Sequence, residues 1–367
     1  MSDQPTTPVA RFGAFIGSLI AGAWMAAMNG LGRAIETLER WLFSGKKSLY
    51  GLAVTRIIFG LTAFGLLLTN FSTRLYTFGS GSAWNGEMRA PLSDFPQIWL
   101  FSAFHRVAAN DVAFTILYLL LMGLAVLFAL GWRFRIVLPV FFVMWVSFIE
   151  MNDMVGDQGD NMFRIALILL FFADPAARWS LDARRRAKRE WFPPGSSGHQ
   201  IGTVLHNLAL VALTAQVAFV YAAGGLYKAQ GAPWAEGYAV YNPLQTARFG
   251  TWPILSDLVT AWGPMVAIAT WGSVLLQIAF LFMLLSRPTR LAGLFGILSF
   301  HIAIGVLMGL PWFSLTMIAI DSIFIRDRSW HELGSQIRER WRATARQEPT
   351  KADAVADAEP VGVGGER

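Results

Sequence analysis

Lys228 stands where a long apolar run ends, in the stretch "YAAGGLYKAQGAPWAEG" (residues 221–237). A lysine at such a position commonly buries its methylene stem and places its ammonium among lipid headgroups. The neighbouring Gly224 and Gly225 allow close backbone approach, and Trp234 lies in a turn-like segment rich in glycine and proline. A lysine turned into a helical bundle instead loses hydration, which makes it a usable base. The residues alone leave both roles open.

Other polar side chains also interrupt apolar runs. His301 lies about midway along "LSFHIAIGVLMGLPWF", where an ionisable group is costly unless it meets a cavity or a partner. It is therefore a functional candidate, and a neutral histidine donating to a neighbouring carbonyl is the structural alternative. Gln216 and Gln277 can serve as interhelical hydrogen-bond partners or as ligand contacts. His206 is predicted to be a polar anchor near a span end, and Arg56 is predicted to extend to the headgroups.

The stretch "GDQGDNMFR" places Asp160 and Arg164 four residues apart at the start of an apolar run. An i, i+4 ion pair there would let the arginine enter lipid. The acids of this region, which include Glu150, Asp153 and Asp157, could also gather a cation. Their spacing does not match a calcium loop, so no metal site is predicted.

The composition defines the class of protein. The chain has 367 residues, of which 54% are hydrophobic and 14% aromatic, far above an ordinary soluble domain. It contains no cysteine, which excludes disulfides, thiolate catalysis, iron–sulfur clusters and cysteine-bound zinc. Its net charge of +6 is concentrated in particular loops, which indicates membrane topology and not nucleic-acid binding. Motifs of soluble hydrolases, nucleotide-binding proteins and zinc proteases are missing from the sequence.

The apolar pattern predicts an all-α, polytopic transmembrane bundle of about eight spans. An amphipathic helix over residues 12–43 is predicted to lie on the membrane surface, because its apolar residues recur on one face. A spanning helix over 13–32 is the alternative, since that stretch contains no charged residue. The predicted spans are residues 50–71, 112–131, 136–149, 162–173, 204–223, 263–285, 291–309 and 312–325.

Charge in the loops predicts the orientation. The segment 178–190 holds six basic residues and two acidic ones, whereas 150–161 holds four acids and no base. The positive-inside rule then places both termini in the cytoplasm and Lys228 at the outer surface. The predicted organisation is a disordered start (1–11), a membrane domain (44–326), a basic cytoplasmic helix (327–346) and a disordered tail (347–367).

Four stretches taken in order resemble the HTTM family, the membrane domain shared by vitamin K-dependent gamma-carboxylase and many bacterial proteins. They are "SLYGLAVTRIIFG", "GDNMFRIALILLFF" followed by "ARWSLDA", "VYAAGGLYKAQGAPWAEGYAVY" and "FHIAIGVLMGLPWFSLTMIAI". The similarity runs from about residue 40 to residue 326. The DoxX type, which has a similar bundle, matches these stretches less well.

The resemblance implies a site on the exoplasmic side that uses a reduced quinone of vitamin K or menaquinone type and no metal. In the carboxylase, a lysine before the tryptophan turn deprotonates the hydroquinone, and oxygen then generates a base strong enough to allow carboxylation of a glutamate. Lys228 matches that lysine, although the carboxylase stretch has a second lysine and a spacing to tryptophan that differs by about one residue. The resemblance makes Lys228 the base and His301 an auxiliary acid–base or orienting group. Trp234 and Tyr238 are expected to shape the quinone pocket with Gln216 and Gln277.

The chain also departs from the carboxylase, which follows its membrane part with a large lumenal domain that helps to hold protein substrates. Carboxylation of propeptide-tagged proteins is therefore not expected. Bacterial relatives resemble membrane subunits that work with small thiol-disulfide oxidoreductase-like proteins, so a quinone-linked redox partner is one alternative. A non-catalytic scaffold or transport-related subunit is another. The expected location is the bacterial plasma membrane, with lipid as a partner.

Overall fold

Apolar runs and capping residues determine where the helices of this chain begin and end. The computed structural model describes residues 8–81, 94–152, 155–187 and 195–347, and every regular element in those ranges is helical. The helices longer than ten residues in these ranges are α1 (Pro8–Phe43), α2 (Leu49–Thr69), α3 (Asp111–Leu130), α4 (Phe134–Ile149), α5 (Gln158–Leu170), α6 (Ser197–Ala229), α7 (Gly263–Met283), α8 (Arg287–Leu307), α9 (Pro311–Asp321) and α10 (Asp327–Gln347). Short α-helices are Arg74–Thr77, Ala103–Val107, Leu181–Arg186, Ala232–Ala235, Tyr241–Leu244 and Pro253–Thr260, and 3-10 turns are Phe95–Gln97, Trp99–Phe101 and Ser322–Phe324.

Helices α2 to α9 correspond one by one to the eight predicted spans, which confirms the all-α prediction for the described residues. Within the part of the chain that the structure describes, six helices are long and apolar enough to cross a membrane: α2, α3, α6, α7, α8 and the Phe15–Phe43 part of α1. Helices α4 and α9 are apolar but shorter. The 13 residues of α5 extend only about 20 Å, less than the hydrocarbon thickness. The count of eight crossings therefore remains a prediction.

Helix α1 contacts the bundle mainly through its end. The side-chain amide of Asn207 on α6 donates to the carbonyl of Leu42 at 2.8 Å and to that of Gly45 at 3.1 Å. The most apolar part of α1 has none of its residues buried. The described part of the bundle therefore leaves the apolar face of α1 uncovered, and whether α1 lies on the membrane or crosses it remains a prediction. Of the segments expected to be disordered, 1–11 and 347–367, only residues 8–11 and Gln347 are described, and these are helical; the rest lie outside the described residues.

Aromatic packing fills the half of the bundle formed by α2 to α5. The rings of Phe59 and Phe163 stack with centroids 4.2 Å apart, and Trp145 lies 5.0 Å from Phe163. Gly60 permits close approach of α2 to α3, because a Cβ atom there would lie only 2.5 Å from the Cβ of Ala129. Helix α9 packs against both α2 and α8 and so connects this half with α6 to α8.

Arg56 corrects one prediction. Its side chain is fully buried instead of extending to the headgroups, and its Nη2 donates to the carbonyl of Trp179 at 2.6 Å. Trp179 adopts a left-handed backbone (φ 46°) in the turn before helix Leu181–Arg186. That turn supplies an acceptor at the bundle end, so the guanidinium is held inside.

The start of α5 corrects a second prediction. Asp160 forms a capping box with Asp157: its Oδ2 accepts from the Asp157 backbone N–H at 3.0 Å, and Asp157 Oδ1 accepts in return. Arg164 pairs with Glu150 and donates to Asn161, not to Asp160. The predicted pair is replaced because the capping role directs Asp160 toward the helix terminus. Asp153 lies outside the described residues.

The opposite end of the bundle is rich in arginine and is here called the arginine end; it comprises residues 131–135, 174–186 and the start of α2. Asp174 accepts from Lys46 at 2.8 Å and from Arg186 at 2.9 Å. Burial acts to raise the pKa of Asp174, but the hydrogen bond from Arg186 and the charge of Lys46 outweigh it, so this pKa lies well below its usual range. The Asp174 backbone N–H donates to His206 Nδ1 at 3.0 Å, and His206 Nε2 lies 2.8 Å from the carbonyl of Lys47. His206 is thus a structural connector, in line with its prediction as a polar anchor.

Two further carboxylates cap helices at the arginine end. Asp182 accepts from the backbone N–H groups of Arg133 at 2.9 Å and Phe134 at 2.8 Å, at the start of α4. Asp327, the first residue of α10, accepts from the N–H groups of Leu49 at 3.0 Å and Tyr50 at 2.8 Å, at the start of α2. Both satisfy donors that a helix start leaves free.

Candidate functional site

Lys228 lies in the last turn of α6 and points toward other helices. Its Nζ donates to Oε1 of Gln277 on α7 at 2.9 Å. The same atom lies 5.0 Å from the ring centroid of Trp234 and 5.3 Å from that of Phe300 on α8. These distances are within the range of cation–π attraction. Lys228 is therefore held by one amide oxygen and two aromatic faces in a half-buried position.

Close packing of α6 on α7 brings Gln277 within reach of Lys228. A Cβ atom at Gly225 would lie 2.7 Å from Cγ1 of Ile278, so only glycine fits there without displacement. Gly224 has more room, since the nearest atom to a Cβ there would be Gln277 Nε2 at 3.9 Å. The small residue at Gly225 thus determines the distance between the two helices.

A tight turn brings Trp234 back over the lysine. The carbonyl of Lys228 accepts from the Gly231 N–H at 3.0 Å, and the carbonyl of Gly231 accepts from the Trp234 N–H at 3.0 Å. Further along, Gly237 has φ 84°, and Trp271 on α7 donates from Nε1 to the carbonyl of Ala235 at 3.3 Å. The sequence signal of glycines around Trp234 therefore corresponds to a real turn fixed to α7.

His301 belongs to a second, fully buried cluster that joins three helices. Its Nε2 lies 3.0 Å from the hydroxyl of Tyr221 on α6, and that hydroxyl donates to Oδ2 of Asp321 on α9 at 2.7 Å. Each of the three side chains is 1% exposed. With the single hydroxyl hydrogen given to Asp321, His301 Nε2 acts as the donor to Tyr221. His301 Nδ1 and Asp321 Oδ1 have no hydrogen-bond partner among the described residues.

The two clusters adjoin without a direct hydrogen bond. Phe300, which contacts the Lys228 ammonium, precedes His301, and the rings of these two residues are 5.1 Å apart. Tyr221 lies seven residues before Lys228 on α6, two helical turns along the same face. The arrangement is an amine near the helix end backed by a buried His301–Tyr221–Asp321 chain.

A cavity lies on the other side of the buried cluster. Its volume is about 200 Å³, and α2, α4, α5 and the start of α9 line it. Phe313 forms part of its wall, and the Phe313 ring lies 5.7 Å from that of His301. Thr62 and Trp145 also line the cavity, and Thr62 Oγ1 and Trp145 Nε1 have no hydrogen-bond partner among the described residues. Both atoms can donate, so the cavity suits a small ligand that carries an oxygen acceptor.

The remaining predicted pocket residues do not join Lys228. Gln216 lies twelve positions before Lys228 on α6, about 18 Å along the helix axis, and it is half-buried. The Tyr238 side chain is 43% exposed, beyond the turn that carries Trp234. The structure thus brings together Lys228, Trp234 and Gln277, and it places His301 behind them.

Sequence reasoning missed Tyr221, Phe300 and Asp321. Asp321 gave a detectable signal, because it is an acidic residue at the end of the apolar run "FSLTMIAID". Tyr221 and Phe300 gave none, since aromatic residues are common throughout these helices. Within the described ranges, no group of three or more histidine, aspartate or glutamate side chains is placed to hold a metal ion.

Comparison with known proteins agrees with this architecture. Residues 45–330 match the family described as the HTTM domain. YitO, an uncharacterized protein of Bacillus subtilis (strain 168), is 24% identical over 302 residues, which cover 79% of this chain and 89% of that protein. No solved structure matches. The family match and the apolar helices together identify an integral membrane protein.

Proposed function

The chain belongs to the HTTM family, and from that premise we propose that it is a membrane enzyme that uses a reduced quinone of vitamin K or menaquinone type. The observation that carries the proposal is the inward position of Lys228, held by Gln277 and two aromatic rings beside the buried His301–Tyr221–Asp321 chain. A lysine that only anchored the helix would direct its ammonium toward headgroups.

In this proposal Lys228 is the general base. A bound reduced quinone would supply a dissociable hydroxyl proton and reducing electrons. The Lys228 amine is poised to take such a proton, because Gln277 accepts one of its hydrogens and fixes its orientation. Trp234 offers a flat face beside the amine on which a ring can stack, and Tyr238 would form the outer rim.

His301 acts in this proposal as an orienting and proton-holding group. Its Nδ1 has no hydrogen-bond partner among the described residues and can accept one, while its Nε2 is held by the Tyr221 hydroxyl, which Asp321 orients in turn. The adjoining cavity offers the donors of Thr62 and Trp145 to an oxygen of a bound reactant. These features fit a site for a small oxygen-bearing molecule in the membrane.

We place this chemistry on the exoplasmic side of a bacterial plasma membrane, with both termini in the cytoplasm. The support is charge: Arg133, Arg135 and the arginines of helix Leu181–Arg186 lie at the arginine end, and acidic residues such as Asp157 lie at the other. Basic residues favour the cytoplasmic side of a bundle.

The test is binding of reduced menaquinone to the purified protein in detergent, followed by oxygen uptake. Wild type is compared with Lys228→Ala and with Lys47→Ala, a control lysine at the arginine end. We expect saturable binding in all three proteins and loss of quinone-dependent oxygen uptake only in Lys228→Ala. A fully active Lys228→Ala protein would overturn the proposal.

Two other results would favour a different function for the protein. Absence of both binding and uptake in the wild type would favour a non-catalytic scaffold or transport-related subunit. Quinone binding without oxygen uptake, with electron exchange only when a small thiol-disulfide oxidoreductase-like protein is added, would favour a redox-partner role.

A further inference from the structure

A basic cleft opens at the arginine end, between the first turn of α4 and the segment 174–186. Its volume is about 580 Å³. Arg133, Arg135, Arg185 and Arg186 line it together with Asp174 and Asp182. Four positive and two negative side chains leave the cleft with two positive charges, which favours an anionic ligand.

Both aspartates are already neutralised by fixed partners. Asp182 accepts from Arg185 at 2.6 Å as well as from two backbone N–H groups, and Asp174 accepts from Arg186 and Lys46. Their carboxylates therefore do not repel an incoming anion as free charges would. They hold Arg185 and Arg186 in place at the wall of the cleft.

The arginines retain donors for a ligand. A guanidinium has five N–H groups. Arg135 uses Nη1 on the carbonyl of Phe171 at 2.6 Å, and Arg185 uses Nη2 on Asp182. The Arg133 guanidinium makes no hydrogen bond to the described residues and lies 5.4 Å from the Trp132 ring. Donors of this type bind phosphate oxygens with fork-like geometry.

An apolar strip begins inside the cleft. Ile136 lines the cleft and is 60% exposed, and Val140, one turn further along α4, is 46% exposed. These side chains lie on the surface of a helix in the membrane domain, where they would contact lipid tails. A free phosphate would use the arginines but not this strip.

We infer that the cleft is a binding site for an anionic phospholipid. The phosphate lies among Arg133, Arg135 and the two fixed arginines, and an acyl chain lies along Ile136 and Val140. The site is independent of Lys228, so it stands or falls separately from the proposed enzyme activity. A lipid here bridges α4 and the segment 174–186, two parts of the chain that Asp182 already connects.

The test is lipid retention measured by native mass spectrometry of the full-length protein, loaded with phosphatidylglycerol or phosphatidylcholine. We expect wild type to retain phosphatidylglycerol several-fold more than phosphatidylcholine. Arg133→Gln and the double variant Arg133→Gln, Arg135→Gln are expected to lose that preference. Arg184→Gln is the matched control, because Arg184 lies on the same short helix as Arg185 but does not line the cleft.

Two further measurements distinguish binding of a whole lipid from binding of a phosphate group alone. Ile136→Gln keeps every charge and is expected to weaken retention of phosphatidylglycerol several-fold, while millimolar inorganic phosphate is expected not to displace the lipid. Equal retention of the two lipids by wild type would overturn the inference. So would an equal loss in Arg184→Gln and Arg133→Gln, or displacement by inorganic phosphate. Thermal unfolding of each variant checks that the fold is intact.

Discussion

The Lys228 ammonium and the Gln277 side-chain oxygen are joined by a 2.9 Å hydrogen bond between the last turn of α6 and the middle of α7. Gln277 is 8% exposed, so its oxygen has little access to water. The lysine is therefore the main source of a donor for that oxygen, and the amide in turn fixes the direction of the lysine. This mutual dependence gives the first prediction.

Gln277→Leu should leave Lys228 without its acceptor. Loss of a buried hydrogen-bond partner costs about 1–3 kcal/mol, and we expect a lower melting temperature in detergent. If Lys228 is the base, quinone-dependent oxygen uptake should also fall more than tenfold at saturating quinone, because the amine is no longer oriented. Gln216→Leu, on the same bundle but away from Lys228, serves as the control. Equal effects of the two substitutions would contradict the orienting role.

Tyr221→Phe should separate His301 from Asp321. The substitution removes one hydroxyl and leaves both buried groups without the bridge, at a cost of about 1–3 kcal/mol for each unsatisfied group. We expect the melting temperature to drop by several degrees in a thermal unfolding assay. Tyr227→Phe is the matched control on the same helix, since Tyr227 is 80% exposed and makes no hydrogen bond to the described residues. An unchanged melting temperature in Tyr221→Phe would show that the hydroxyl is not required.

The substitutions Gly225→Ala and Gly224→Ala should have different effects on the stability of the protein. Alanine favours a helix over glycine by about 1 kcal/mol, so Gly224→Ala, with no close neighbour, should be neutral or stabilising. Gly225→Ala places a methyl group 2.7 Å from Ile278 and should destabilise the protein by forcing α6 away from α7. Thermal unfolding of the two variants side by side measures the difference. A second signature is reduced oxygen uptake in Gly225→Ala alone.

Because the pKa of Asp174 is lowered in the folded protein, we expect the protein to lose stability in acid. That folded-state pKa lies below the unfolded value, because Arg186 and Lys46 outweigh the effect of burial. The stabilisation is therefore present above the unfolded pKa of about 4 and is lost as pH falls through the folded value. We expect wild type to unfold at lower temperature as pH drops below about 4. Asp174→Asn should be less stable at neutral pH and should lose this part of the acid dependence. A parallel acid dependence in both proteins would contradict the assignment.

Apolar runs predicted the helices well because hydrophobicity along a single segment is sufficient to locate them. All of α2 to α9 fall on predicted runs, and Lys228 lies at a helix end as expected. It was harder to predict which polar side chains pair with each other. Arg164 had an acid at the favourable i, i+4 spacing, yet Glu150, fourteen residues away, became its partner once Asp160 was engaged in capping.

The same limit applies to the site. Gln277 and Gln216 are similar glutamines inside apolar runs, and only the crossing of α6 and α7 distinguishes the one that meets Lys228. Tyr221 contacts Asp321 across 100 positions, and no local pattern indicates that pairing. Local sequence determines the helices, whereas their tilt and rotation determine which polar groups meet.

The contact between the Asp327 carboxylate and the first turn of α2 limits how many times the chain can cross the membrane. Because the carboxylate bonds the N–H groups of Leu49 and Tyr50, the entry to α2 and the exit from α9 lie at one level of the bundle. A chain that leaves and returns to the same face of a membrane must traverse it an even number of times. The number of full crossings among the eight helices α2 to α9 must therefore be even. If any of the short helices α4, α5 and α9 do not cross fully, the number that do not cross is two. If α1 also crosses the membrane, the total number of crossings becomes odd, but the number between residues 49 and 327 stays even. The placement of α1 therefore decides only on which side of the membrane residue 8 lies.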